Sequence, residues 1–320
     1  MSEQSQEKTQ IEKLKRQFLE YLEIERGSAR RTIENYDHYL SKIFEFMKAK
    51  EVSDITDDSI REFRLWINRQ PTRSKETVSK KTQNFYLIAL RMFLKYLSRR
   101  EIKALSADRI ELAKLSTHQL ELITSGELSR LLNAPKGDEL KALRDRAILE
   151  FLFSTGLRVG EICSLPRDIN IDSDELSVRG KGGKIRVVFI SEEARSAVKK
   201  YLAKRKDMAE GLFVRLDPDK TPRKDRPESK RYKGKDFGNL DRQSVESIVR
   251  HYAIVAGIGK RVTPHTLRHL FATDLLSNGA DIRSVQAMLG HANIMTTQIY
   301  THVTDKALRE THKKFHSKRK

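Results

Sequence analysis

Apolar residues recur at intervals of three, four and seven through the first hundred positions, which is the spacing of amphipathic α-helices. One such helix follows Gly27 and Ser28, another begins at a capping Thr56, and a long one spans 79–97. We predict only helices in this part, and they form a compact bundle of about four. On the long helix, the side expected to be buried carries Phe85, Ile88, Ala89, Met92, Phe93 and Tyr96.

The periodicity weakens after the bundle, which predicts a linker over 104–118 between a first domain at 1–103 and a second at 119–320. In the second domain we expect helices from Thr124, over 144–153, from Arg158 through Leu165, over 191–201 and around 248–254. The candidate strands are 170–172, 175–179 and 184–190. Glycines between the last two strands predict a hairpin connection. The fold class is therefore mainly α with a small antiparallel sheet.

The charge of the chain is strongly positive and spread along its length. Among 320 residues, 63 are Lys or Arg and 44 are Asp or Glu, so the net charge is +19. Such a surplus predicts a polyanionic partner, most simply a nucleic acid. A generally basic proteome is the alternative explanation. The segment 217–241 is polar, basic and proline-bearing, so we expect either a solvated loop or a loop that follows a DNA backbone.

Three features of the sequence bear on the cellular compartment of the protein. No run of about 20 apolar residues predicts a membrane span, and the N-terminal residues lack the apolar core of a signal peptide. The single cysteine, Cys163, excludes an intramolecular disulfide and lies among apolar residues, where packing is expected. We therefore expect a cytoplasmic protein.

The C-terminal stretch 263–302 carries a set of polar candidates. Thr263 and Pro264 predict a helix start, and His265 and Arg268 are three apart, so they share a face of that helix. A second short helix over 281–289 ends at Gly290. The next residue is His291, and nine residues later comes Tyr300 with polar neighbours. Taken singly, such a histidine and arginine usually belong to a solvated helix face, and such a tyrosine is most often a packing or surface residue.

A metal site is the other possibility for this stretch. His265 and His269 are four apart on the helix, as in a metal-binding pair. No glutamate lies between them and no third ligand is evident, so we expect no metal, and His269 is predicted to be structural or solvent-facing.

Six positions in order, Arg158, Lys181, His265, Arg268, His291 and Tyr300, resemble the tyrosine recombinase (lambda-integrase-like) superfamily. The matching motifs are TGLRVGE, RGKGGKIRVV, HTLRH and LGH, with the tyrosine nine residues after the last histidine. The chain is most similar to the Xer-type site-specific recombinases. The resemblance implies a four-helix, SAM-like core-binding domain followed by an α+β catalytic domain.

The resemblance also implies the roles of these residues. Tyr300 would attack a DNA phosphate and form a 3′-phosphotyrosyl bond, and Lys181 would be the general acid. Arg158 and Arg268 would each grip phosphate oxygens through the planar guanidinium, with the two histidines assisting. No metal or nucleotide cofactor is implied. Two alternatives stay open: Glu161 either orients Arg158 or forms a plain helix salt bridge with it, and Lys181 is either catalytic or a surface residue beside Lys184 and Arg186.

The implied partner is a duplex DNA recombination site, which the two domains of each protomer would clamp. Four protomers, all of this chain or with a paralogue, would assemble on two such sites. Chromosome dimer resolution is the expected use. The alternatives are a mobile-element integrase or transposase, a topoisomerase-like relaxer, and a DNA-binding protein that has lost catalysis. The C-terminal helix is expected to dock on a neighbouring subunit. The expected DNA contacts of the first domain are Arg73, Lys75, Ser79, Lys80, Lys81 and Thr82.

Overall fold

The chain divides into two compact units, Met1–Gln119 and Leu120–Lys320. The structure is a computed structural model that describes residues 9–71, 77–115, 122–180, 183, 185–216 and 238–290. The predicted division into 1–103, 104–118 and 119–320 stays a prediction. Five of the predicted site residues lie outside the described residues: Arg73, Lys75, Lys181, His291 and Tyr300. Nearly all of the basic 217–241 segment also lies outside them.

The first unit is the predicted four-helix bundle. Three of its four helices begin at side-chain caps: the hydroxyls of Thr9, Thr56 and Ser79 each accept a backbone N–H of the first turn. The large side chains Phe18, Phe63 and Phe93 are fully buried between them. The helices are α1 (Gln10–Ile24), α2 (Arg30–Met47), α3 (Asp57–Arg69) and α4 (Lys80–Arg99).

The buried face of α4 differs from the prediction in part. Phe85 is 42% exposed, and Ile88 and Met92 are only half-buried, whereas Leu90 and Leu94 are buried. The reason is that α4 packs against α1, α2 and α3 together. Its buried surface is therefore wider than the single face that spacing predicts, and this surface is centred nearer to Leu90 and Leu94.

The second unit is built around α6, in which Ala147, Ile148, Leu149, Phe151 and Leu152 are fully buried. Helices α8 and α10 pack directly against it. Within the described part of the unit, the only paired strands form the predicted antiparallel hairpin, with Leu176 opposite Val188. The elements are α5 (Ser125–Leu132), α6 (Leu140–Thr155), α7 (Val159–Ile162), β1 (Glu175–Arg179), β2 (Ile185–Phe189), α8 (Glu192–Lys204), α9 (Arg242–Val255), α10 (Pro264–Ser277) and α11 (Ile282–Leu289).

Two local predictions for this unit are wrong. The candidate strand at 170–172 is a turn, because the Asn170 side chain accepts the backbone N–H of Asp172 at 3.2 Å and so closes a local loop. Helix α7 ends at Ile162 and does not continue through Leu165, which precedes Pro166 and is therefore disfavoured in the helical conformation.

No helix in the described parts of the chain is long and apolar enough to cross a membrane.

Candidate active site

Arg158 stands at the N-terminus of α7, directly after a sharp turn. Helix α6 ends at Gly156, whose φ of +58° is left-handed and whose missing side chain leaves room for the Phe271 ring, 2.4 Å from where a Cβ would lie. The turn presents Arg158 with its side chain 37% exposed. Its backbone N–H donates to Glu161 Oε2 at 2.8 Å and its Nη1 to Oε1 at 3.0 Å. The backbone bond adds to the salt bridge between the two side chains, and an orienting role for Glu161 stays a prediction.

Glu161 has a second arginine partner, Arg186 of β2. Arg186 Nη1 donates to Oε1 at 2.9 Å and Nη2 to Oε2 at 2.7 Å, a bidentate pair. With the two bonds from Arg158, each carboxylate oxygen accepts two hydrogen bonds, which uses its full capacity. Burial alone would raise the pKa of Glu161, but the bonds from Arg186, and then those from Arg158, lower it to about 2.

Arg186 was not singled out as a site residue from the sequence. The only sequence signal for a role of Arg186 is its place inside an otherwise apolar strand. Because Lys181 and Lys184 are nearby, it is one of several basic residues there, and the sequence does not distinguish it from them.

Arg268 lies on α10 and is only 2% exposed. Its Nη1 donates to the Gly156 carbonyl at 2.6 Å and its Nη2 to the Leu289 carbonyl. One turn earlier, His265 is exposed, and its ring lies 4.2 Å from the ring of the buried His269. His265 and Arg268 therefore follow one another along α10 at three residues' spacing, with the histidine towards solvent. The burial of His269 fits a structural role.

The C-terminus of α11 brings these arginines together. The carbonyls of Met288, Leu289 and Gly290 accept from Arg186, Arg268 and Arg158 respectively, at 2.9 Å for Met288 and 3.1 Å for Gly290. Carbonyls at a helix end lack partners within the helix and carry partial negative charge, so guanidinium groups suit them. Arg158 and Arg268 thus donate to the carbonyls of two successive residues at the end of one helix. The next residue in the sequence is His291.

In the first unit, the predicted DNA contacts that the structure describes cluster at the N-terminus of α4. Ser79 is the cap, and its hydroxyl accepts the Thr82 N–H at 3.2 Å. Lys80 and Lys81 are exposed on the first turn. The positive end of the helix dipole and two exposed lysines make this end of the helix suited to a phosphate.

Neither a metal cluster nor a reactive thiol is found in the described part of the chain. No group of three His, Cys, Asp or Glu side chains is placed there to hold a metal ion. Cys163 is half-buried, and burial, together with the charge of Asp241, raises the pKa of its thiol to about 11. The burial of Cys163 and the raised pKa of its thiol agree with the packing role expected for this cysteine.

Comparison with known proteins adds independent evidence. The profile of the phage integrase family matches residues 121–307, and that of the phage integrase N-terminal SAM-like domain matches residues 16–101. Tyrosine recombinase XerC of Thermodesulfovibrio yellowstonii is 37% identical over 93% of this chain and 94% of its own length. Tyrosine recombinase XerD of Halalkalibacterium halodurans is 33% identical over 94% and 96%.

Solved structures show the same fold. XerA recombinase is 31% identical, with a TM-score of 0.50 over 97% of this chain and all of the other. XerH site-specific recombinase, in its post-cleavage complex with palindromic difH substrate, is 22% identical, with a TM-score of 0.65 over 93% of this chain and 83% of the other. The predicted fold class, a SAM-like helical domain followed by a mainly helical catalytic domain with a small antiparallel sheet, is confirmed. The chain belongs to the phage integrase family of tyrosine recombinases, as its motifs predicted.

Proposed function

We propose that this protein is a site-specific DNA recombinase that cuts and rejoins duplex DNA through a 3′-phosphotyrosyl intermediate. The observation that carries the proposal is the pairing of Arg158 and Arg268 on adjacent carbonyls at the end of α11. Two guanidinium groups held at one helix end offer the planar N–H forks that suit the non-bridging oxygens of a phosphodiester. His265, one turn from Arg268 and exposed, adds a proton donor on the same helix.

The proposed chemistry needs only protein groups. Tyr300 attacks the scissile phosphorus, and its phenol proton passes to one of the two histidines, His265 or His291. The bond to the 5′-oxygen breaks, and Lys181 gives that oxygen its proton, leaving a free 5′-hydroxyl. Arg158 and Arg268, with His265 and His291, stabilise the negative charge that grows on the phosphate oxygens in the transition state. Because the phosphotyrosyl ester conserves the bond energy, a 5′-hydroxyl from another strand can attack it and form a Holliday junction. No metal or nucleotide cofactor takes part.

We further propose the setting of this reaction. Four protomers, either all of this chain or with a paralogue, assemble in the cytoplasm on two DNA sites, and α4 of the first unit follows a DNA backbone with Ser79, Lys80, Lys81 and Thr82. Arg73 and Lys75 are proposed to extend that contact. The names of the XerC and XerD relatives favour chromosome dimer resolution over mobile-element integration.

A nicked suicide duplex tests the reaction, with a site selected by binding from a random pool. We expect wild type to form a covalent protein–DNA complex and Tyr300→Phe to bind the DNA without forming it. Tyr252→Phe is the matched control: it removes a phenol hydroxyl that contacts Asp145 at 3.2 Å in the core, so covalent complex formation should persist. A covalent complex in Tyr300→Phe would place the nucleophile elsewhere. Tight binding without a covalent complex in wild type would indicate a catalytically silent DNA-binding protein.

A further inference from the structure

Arg186 is the one described arginine that contacts both Glu161 and the end of α11 without belonging to the six proposed catalytic positions. Its side chain is only 11% exposed. It comes from β2, where it lies opposite Val178. All three of its guanidinium nitrogens are engaged, two with Glu161 and the Nε with the Met288 carbonyl at 2.9 Å. These contacts use three of its five N–H groups and hold the largely buried side chain against Glu161 and α11, which indicates a role exerted through these neighbours.

The first of these neighbours is Glu161, and the effect is electrostatic. Glu161 also binds Arg158, and a carboxylate paired with Arg158 alone would cancel its charge. Three guanidinium charges and one carboxylate charge leave the group of Arg158, Arg186, Arg268 and Glu161 with a net charge of +2. Without Arg186 the net charge is +1, and the carboxylate competes with the phosphate for Arg158.

The second neighbour is Gly290, and the effect is steric. The Arg186 stem crosses this glycine so closely that a Cβ there would lie 2.9 Å from Arg186 Cδ. Gly290 has a φ of +61° and passes the chain directly to His291. Arg186 therefore ties β2, Glu161 and the last turn of α11 to one another, and it fixes the point from which His291 begins.

We propose that Arg186 is a positioning residue for DNA cleavage: it holds Glu161 in a bidentate pair so that Arg158 keeps its positive charge for the phosphate, and it fixes the turn at Gly290. The inference rests on the proposed function, because cleavage is the activity it serves.

A double-mutant cycle tests this role on the suicide duplex. Arg186→Met should leave DNA affinity unchanged and lower the rate of covalent complex formation by about 100-fold, the usual effect of a misplaced catalytic group. Adding Glu161→Gln removes the competing carboxylate and restores the net charge of +2, so the double variant should be faster than Arg186→Met by about tenfold. Arg186→Lys keeps the charge but loses the planar fork, and its rate should lie between those of wild type and Arg186→Met.

Arg195→Met is the matched control. Arg195 is 15% exposed and forms ion pairs with Asp174 and Glu192 and none with Glu161, so the rate should stay near that of wild type. Thermal unfolding of each variant distinguishes a variant that fails to fold from one that is folded but holds its catalytic groups in the wrong place. Equal rates for Arg186→Met and wild type, or a double variant no faster than Arg186→Met, would overturn the proposal. If wild type itself formed no covalent complex while binding DNA, the proposed function would fail first, and Arg186 would have no cleavage step to serve.

Discussion

Removing the charge of Glu161 should destabilise the second unit in a pH-dependent way. The carboxylate accepts four hydrogen bonds from Arg158 and Arg186, and its pKa falls from 4.5 to about 2 on folding. Each pKa unit is worth about 1.36 kcal/mol, so the ionised carboxylate stabilises the folded state by about 3 kcal/mol. A group whose pKa is lower in the folded state stabilises above its unfolded pKa. The stabilisation is therefore present at pH 7 and is lost as the pH falls from about 5 towards 2.

Denaturant unfolding of wild type and Glu161→Gln from pH 7 to pH 3 measures this effect. Far-ultraviolet circular dichroism follows both units, and the fluorescence of Trp66 follows the first alone, because Trp66 is the single tryptophan and packs against Phe46 and Phe63 of the bundle. We expect the transition of the second unit to lose about 3 kcal/mol at pH 7 in Glu161→Gln, and the Trp66 transition to stay unchanged. The gap between the variants should narrow as the pH falls.

Glu150→Gln provides a control of opposite sign. Burial raises the pKa of Glu150, so its ionised form costs stability above the unfolded pKa, and that cost disappears as the carboxylate is protonated. Glu150→Gln should therefore be as stable as wild type or more stable at pH 7. A gap for Glu161→Gln that stays constant with pH, or that is absent at pH 7, would refute the assignment of the stabilisation to this carboxylate.

Three further predictions concern separate sites. Gly279→Ala (φ +94°, with nothing within 4 Å of the new Cβ) should cost about 1 kcal/mol in denaturant unfolding, and Gly290→Ala should cost more because it also meets Arg186; equal costs would contradict the close packing. Replacing both Lys80 and Lys81 by Ala should reduce the slope of log affinity against log salt by about 2, and an unchanged slope would exclude them from the DNA interface. At pH 8 the thiol of Cys163, with a pKa of about 11, should be alkylated slowly until the protein unfolds; rapid alkylation of the native protein would contradict its burial.

Local signals in the sequence predicted much of the fold. Thr56, Ser79, Thr124 and Thr263 each begin a helix where their hydroxyls accept a first-turn N–H, because capping depends on residues only three apart. The hairpin was predicted for the same reason, since its two strands are neighbours in the chain. Errors arose where a local side-chain bond competed with the strand pattern, as at Asn170.

The partnership around Glu161 could not be predicted from such signals. Arg186 and Met288 are 102 residues apart in sequence, and no periodicity connects them. The alternation of β2 is also misleading, because apolar residues are expected to face the core. Here Ile185, Val187 and Phe189 are exposed, whereas Arg186 faces inwards. A two-residue periodicity indicates which residues share a face of the strand, but it does not indicate which face is buried. Only the three-dimensional contacts show that the polar residue of this strand takes the interior side.

The end of α11 sets a limit on length changes in this family member. Three successive carbonyls each meet an arginine from a different element, β2, α10 and the start of α7. An inserted or deleted residue within α11 would turn these carbonyls by about 100° and shift them by about 1.5 Å along the axis. Since the three donors are anchored independently, no single neighbouring change would realign them. Exposed side chains of α11 should therefore tolerate substitution far better than the helix tolerates a change in its number of residues.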